Sequence, residues 1–246
     1  MHATAPDSTE FRKRRRFLTQ SGVILAAGAT GHLLLADETP AKSVDKKDEK
    51  PAEEVSPPED LMREHGVLKR ILLIYGEALR RMDAREELPP EPIQQSAKLI
   101  RSFVEDYHEK LEEDYLFPRF KKACKLVGLV EVLNQQHQAG RKLTDITLRF
   151  ATVQGLRNAD DRRRLADSMR QFIRMYSPHE AREDTVLFPA FRGVVSANEF
   201  DSLGEEFEKQ EDKLFGDDGF FKVVDQVAEI EKKLGIYDLS KFTPKV

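Results

Sequence analysis

The sequence predicts an all-α protein, an up-down-up-down four-helix bundle with extra C-terminal helices, and three observations predict it. Charged residues make up 34% of the 246-residue chain and aromatics 8%, with no tryptophan, a composition suited to long solvated helices rather than to sheet. Long stretches are free of proline and glycine. A block of sequence also occurs twice: His108 to Phe120 reads H-E-x-x-E-[DE]-x-x-L-F-P-x-F, and the same pattern returns 71 residues later as His179 to Phe191. One further histidine precedes each copy, His65 by 43 residues and His137 by 42. A duplicated unit of two helices, each helix carrying one histidine, makes four helices.

The elements follow in chain order. Residues 1–36 read as an address: Arg12 to Thr19 holds five consecutive basic residues and R-R-x-F-L, followed by an apolar run, Ser21 to Leu35, diluted by Gly22, Gly28, Gly31 and His32. This resembles a twin-arginine export signal, which implies the twin-arginine translocase as partner and a periplasmic destination. The run is shorter than the ~20 residues needed to span a bilayer, so an uncleaved membrane anchor is the alternative reading. Removal of the segment leaves 35 basic against 42 acidic side chains, a net of −7, which disfavours nucleic acid as a partner. Residues 37–57 mix Lys, Asp, Glu and Pro with little to bury and read as a disordered linker.

The bundle is predicted over residues 58–195. Leu61, His65, Leu68, Leu72, Tyr75 and Leu79 recur at helical spacing, so His65 lies in a buried stripe. After a proline-rich loop, Met82 to Pro92, a second helix is marked by Ile93, Ala97, Ile100, Val104, His108 and Leu111. A third holds Leu129, Leu133, His137, Leu143, Ile146 and Phe150, with a break from Gly155 to Asp161. The fourth carries Leu165, Met169, Phe172, Tyr176, His179, Glu183 and Leu187, and its stripe runs in phase through Pro178, which argues for one kinked helix. The prolines of the two Leu-Phe-Pro tails are expected to kink or finish their helices. Residues 196–246 are a C-terminal helical extension, with helices expected over Ala197 to Leu214 and Phe221 to Leu234 that pack on the bundle.

The histidines carry the chemistry. On a helix, positions i and i+4 lie 40° from a full turn apart, so His108 with Glu112, and His179 with Glu183, close on one ion from one face. With His65 and His137 the core receives four imidazoles and two carboxylates. That set suits two ions, iron or manganese ahead of zinc, and the ions would offset the cost of burying the carboxylates. Glu109 and Glu180 point about 100° away from their histidines, each a further ligand or a solvated charge. Asp184, at i+5, competes with Glu183. The single Cys124 excludes an intramolecular disulfide and reads as a small buried or half-buried hydrophobe. A zinc protease would need His-Glu-x-x-His, and both copies end in Glu. A ferritin-like di-iron oxidase would need Glu-x-x-His twice, and Glu105 to His108 supplies it once.

From Glu59 to Phe191 the order His, His-x-x-x-Glu, His, His-x-x-x-Glu with its Leu-Phe-Pro tails resembles the hemerythrin-like, cation-binding family. The resemblance implies two non-haem iron ions held by His65, His108, Glu112, His137, His179 and Glu183. In the family's oxygen carriers a fifth histidine follows the third-helix histidine by four residues; here that position is Arg141. The match is to the four-histidine branch, in which Glu109 is a candidate to complete the shell. The carriers' last carboxylate is an aspartate at i+5, which keeps Asp184 as the alternative to Glu183. The expected function is to bind or sense O2 or another small diatomic or peroxide ligand, without turnover of an organic substrate. The alternatives are a di-iron redox enzyme acting on peroxide or nitric oxide, for which Tyr107, Tyr176 or Glu109 would serve as proton donor, and an iron-sensing or iron-buffering protein. Gly140, one turn from His137, leaves room either for a diatomic ligand or for close helix packing.

Overall fold

The computed structural model describes residues 55–245, so the segment read as an export signal and most of the linker lie outside the described residues. The described residues are helical with no strand among them. No helix among them is long and apolar enough to cross a membrane.

Helix α1, Pro57–Ala84, begins with two prolines, whose missing N–H groups cost nothing in a first turn, and with Glu59 and Asp60 facing the positive end of the helix dipole. The predicted linker therefore ends before Pro57, which is already helical and buried. The α1 stripe, Leu61 to Leu79, is buried along its whole length, His65 included. Arg85, left-handed at φ 56°, stops the helix by donating its N–H to the carbonyls of Arg81 and Met82.

Helix α2 runs continuously over 90–122 in alternating windings: α over Pro90–Leu99, π over Ile100–His108, α over Glu109–Leu111, π over Glu112–Leu116 and α again over Phe117–Lys122. Helix α3 is Val127–Phe150 and α4 the short Val153–Arg157, which occupies part of the predicted break. Helix α5 covers 159–191: α over Ala159–Arg182 with Pro178 inside it, π over Glu183–Leu187, then α over Phe188–Phe191. Asn158 caps it, its side-chain oxygen accepting from the N–H groups of Asp160 and Asp161.

The prolines of the Leu-Phe-Pro tails do not finish their helices. In both copies a π turn precedes them, with the N–H of Phe117 bonding to the carbonyl of Glu112 and that of Phe188 to Glu183. Proline has no N–H to return to the carbonyl four residues back, and the widened turn lets the helix pass it. These two π turns start at the glutamates of the His-x-x-x-Glu pairs.

Helix α1 packs against α2 and α5, and α3 against α2 and α5, which closes a ring of four helices around one core. Helices α6, Ala197–Phe215, and α7, Gly219–Leu234, cover the α1 and α2 side of it. Arg70 holds Glu231 through two hydrogen bonds, 3.0 and 2.6 Å, and Arg81 donates to the carbonyl of Leu234 at 2.7 Å. The stripe on α3 differs from the predicted one beyond His137. The buried positions are Val130, Leu133, His137, Gly140, Thr144 and Thr147, whereas Ile146 is exposed. Polar partners claim that face: the Thr144 hydroxyl donates to the buried Glu105 carboxylate at 2.6 Å, and Thr147 bonds Ser168 at 3.0 Å. Cys124 is exposed, contrary to its expected burial, because it lies in the turn after α2 at φ 52°.

Candidate metal centre

Helix α1 supplies His65, α2 His108 and Glu112, α3 His137, and α5 His179 and Glu183; all six are buried. They group into two triads, His65 with His108 and Glu112, and His137 with His179 and Glu183, the ligand atoms of each lying within 4.8 Å of one another. The carboxylates cross between the triads. Glu112 has Oε1 3.8 Å from His108 Nε2 and Oε2 3.4 Å from His137 Nε2. Glu183 Oε2 lies 3.1 Å from His179 Nε2 and 3.4 Å from His65 Nε2. The two histidine nitrogens of the first triad are 3.0 Å apart, the separation of neighbouring ligands on one ion with bonds of about 2.0–2.1 Å.

Four outer partners aim these nitrogens inward. Each histidine engages an oxygen through Nδ1: His65 with Asp184 at 2.7 Å, His108 with Glu64 at 2.7 Å, His137 with Glu113 at 3.2 Å and His179 with Gln136 at 2.9 Å. An ionised carboxylate or an amide oxygen only accepts, so Nδ1 carries a proton and Nε2 is the nitrogen that would ligate an ion. The wiring follows the repeat. Glu64 and Gln136, each just before the lone histidine of its unit, hold the second histidine of the same unit. Glu113 and Asp184, at the sixth position of the motif, hold the lone histidine of the other unit. The tail phenylalanines also cross over: Phe117 stacks on His137 at 5.5 Å and Phe188 on His65 at 5.4 Å.

The electrostatics without an ion are those of a site with unmet demand. All four oxygens of Glu112 and Glu183 are buried without a hydrogen-bond donor, as is His137 Nε2. Burial, followed by repulsion from Glu183, holds the Glu112 carboxyl well above its ordinary range, while His179 and His65 outweigh burial and hold Glu183 well below it. Burial pulls His65 down, but Asp184 and Glu183 reverse that and raise it to about 9. His137 is lowered to about 4 by burial, against its bond to Glu113. His108 is lowered well below the usual imidazole range by burial and by the charge on His65. Cations in place of protons would satisfy every one of these groups, so the donor set fits two metal ions.

Asp184 bonds His65 from outside and is itself held by Lys69 Nζ at 3.1 Å, so the structure puts Glu183, not Asp184, at the inner position of α5. Glu109 is turned toward α3 and α5, accepting from the Tyr176 hydroxyl at 2.5 Å and pairing with Arg141 at 2.8 Å. Arg141 also pairs with Glu113 at 2.7 Å, so the residue at the position of the carriers' fifth histidine braces the outer partner of His137. Burial pushes the Glu109 carboxyl up to about 8, against the pull of Tyr176 and Arg141. The space at Gly140 is filled by Tyr176: a Cβ there would sit 2.1 Å from its hydroxyl oxygen, so this glycine serves close helix approach and not a diatomic ligand. Glu180 is neither in a triad nor solvated; it is 2% exposed. Glu64, Gln136 and Glu113 escaped the sequence reading, although a signal existed: an acceptor stands directly before each lone histidine, and an acid follows each inner glutamate.

Residues 56–157 match the family described as the hemerythrin HHE cation binding domain, a span that holds His65, His108, Glu112 and His137, while the second copy lies beyond it. "Uncharacterized protein Rv1995" and "Uncharacterized protein MT2051" of Mycobacterium tuberculosis and "Uncharacterized protein Mb2018" of Mycobacterium bovis are each 51% identical to the chain over 221 residues, 89% of this chain and 87% of theirs. No solved structure matches the chain.

Proposed function

The chain belongs to one family with these mycobacterial proteins and carries the hemerythrin HHE cation binding domain, and on that premise we propose that it is a non-haem di-iron protein that binds or senses O2 or a related small ligand. In this reading the ring of helices is an up-down-up-down bundle, and His65, His108, Glu112, His137, His179 and Glu183 hold the two irons. The observation that carries it is the pair of facing histidine triads spanned by Glu112 and Glu183, whose four buried oxygens lack donors. When bound, two irons would supply the electrons and the open coordination that such a ligand requires.

The protein's own residues do the rest. The four Nδ1 bonds fix the imidazoles, and Phe117 and Phe188 wall His137 and His65 from water, which slows loss of electrons through proton-assisted oxidation. Metal analysis with optical spectra is the test. The purified protein should hold about two irons per chain, lose both in His179→Ala, and show a charge-transfer band that comes and goes over repeated cycles of O2 addition and removal. Retention of one tight ion in that variant would overturn the shared centre.

A second reading, redox turnover of peroxide or nitric oxide, is favoured by one observation. The Tyr176 phenol donates to Glu109, and its ring lies 5.2 Å from that of His179, so a proton is held beside the centre. Irreversible oxidation in the first cycle, with catalytic consumption of peroxide or nitric oxide, would select it. Iron sensing or buffering would instead show as reversible loss of fold on chelation. We read residues 1–36 as directing export through the twin-arginine translocase to the periplasm. Replacing Arg14 and Arg15 with lysine should then retain the precursor in the cytoplasm, and unchanged processing would refute that route.

A further inference from the structure

A groove of about 580 Å³ lies between α1, α5 and the segment after α7, within the size range of small-molecule sites. Its walls are apolar: Leu72 and Leu73 from α1, Ile173 from α5, and Ile236 and Phe242 from the chain end after α7. Leu73 and Phe242 are 58% and 57% exposed, an unusual surplus of apolar surface at one mouth.

The polar groups along it are unequal. Lys69 is bound to Asp184 at 3.1 Å, and Arg80 is bound to both Glu77 and Glu86, so the rim cations are already neutralised. Glu180 is not matched in this way. It lines the groove from α5, is 2% exposed, and its Oε2 is buried with no hydrogen-bond donor. A buried carboxyl oxygen left without a donor is destabilising until one reaches it. Ser177, one turn earlier on the same helix, adds a second polar group.

We infer that this groove binds an amphipathic small molecule, its apolar body against Leu72, Leu73, Ile173, Ile236 and Phe242 and a hydrogen-bond-donating head, ammonium or hydroxyl, on the Glu180 carboxylate. The apolar walls favour a chain or ring over a polar metabolite. The unpartnered oxygen offers a donating head a hydrogen bond that an anion cannot make to it. The inference stands apart from the metal reading, since no residue of either triad lines the groove.

Titration calorimetry of the full-length protein with three eight-carbon probes, n-octylamine, 1-octanol and octanoate, tests it, with metal content measured on the same samples so that the two readings fail separately. Octylamine, octanol or both should bind, and whichever binds identifies the head. Octanoate, which has no proton to donate to that oxygen, should bind about tenfold more weakly. Glu180→Gln should shrink that preference by about tenfold, because an amide offers a donor as well as an acceptor. Gly76→Leu gives a block that does not depend on Glu180: Gly76 lines the groove and a Cβ there meets nothing within 4 Å, so the variant should abolish binding of all probes while the metal content is kept. Octanoate bound as tightly as octylamine, no binding of any probe, or binding unchanged in Gly76→Leu overturns the inference. A dimer in solution that Gly76→Leu dissociates would also overturn it, in favour of a second copy of the chain as the occupant.

Discussion

Asp184 and Glu183 are neighbours of the same chemical type, and their positions separate their roles. Glu183 reaches His179 and His65 with its oxygens, whereas Asp184 holds the opposite nitrogen of His65 from outside the core. Glu183→Ala should therefore cost the centre its metal, while Asp184→Ala should retain both ions with an affinity about 10–100-fold lower, as measured by competition with a chelator. Equal losses would contradict the assignment. The same residues set a pH dependence. An unfolded imidazole titrates near 6.5, but in the metal-free fold His137 waits until about 4 and His65 keeps its proton to about 9. As pH falls from 6.5 toward 4 the unfolded chain takes a proton at His137 that the fold refuses, so the contribution of His137 drops. As pH rises from 6.5 toward 9 the fold keeps a proton at His65 that the unfolded chain has lost, so stability drops. The melting temperature of metal-free protein should fall as pH rises from 6.5 toward 9, since Glu109 likewise keeps its proton to about 8, and metal, which needs deprotonated His65, should remove the His65 share of that decline. A metal-free profile still rising at pH 8 would contradict this.

At the scale of the helix, periodicity found the elements because every long helix buries an apolar stripe, and the stripes of α1, α2 and α5 are buried as their spacing predicts. On α3 the rule misled beyond His137, since that face is held by Thr144, Thr147 and Gly140 rather than by aliphatic side chains. Composition gives no warning of a core position filled by a hydroxyl, because its reason lies on another helix, in Glu105 or Ser168. The π turns before Pro118 and Pro189 were hidden for the opposite cause: proline announced an interruption, and the chain answered by widening a turn and continuing. The close approach of α3 and α5 at Gly140 is testable. Gly140→Ala should destabilise the protein by about 1–3 kcal/mol in chemical denaturation, because its Cβ would fall 2.1 Å from the Tyr176 hydroxyl. Combined with Tyr176→Phe the penalty should shrink without vanishing, since the ring carbons would still lie 2.9 Å away. Full additivity of the two changes would mean that the hydroxyl is not the obstacle.

For the whole molecule, the C-terminal helices are part of the core and not an appendage. Phe207 and Val227 are buried to 1% and 0%, the Glu211 carboxylate accepts the N–H of Phe220 at 2.7 Å, and Arg119 of α2 pairs with Glu199 of α6 at 2.9 Å. Phe207→Ala should cost about 3–5 kcal/mol, and a chain ended after residue 195 should lose cooperative thermal unfolding, having left apolar faces of α1 and α2 in water. A sharp transition at an unchanged temperature would show that the ring of four helices suffices.

The sequence by itself determined the helices, the repeat and the six residues brought together at the centre, because helical spacing and duplication are local properties that a single chain displays. Tertiary structure alone decided which histidine each acid serves. Glu113 and Asp184 follow the inner glutamates of their own copies, yet each closes on a histidine of the other copy, and Phe117 and Phe188 cross the same way. No spacing along the chain encodes that exchange. It arises when two units pack face to face, so that the outer side of each His-x-x-x-Glu helix meets the lone histidine of its neighbour.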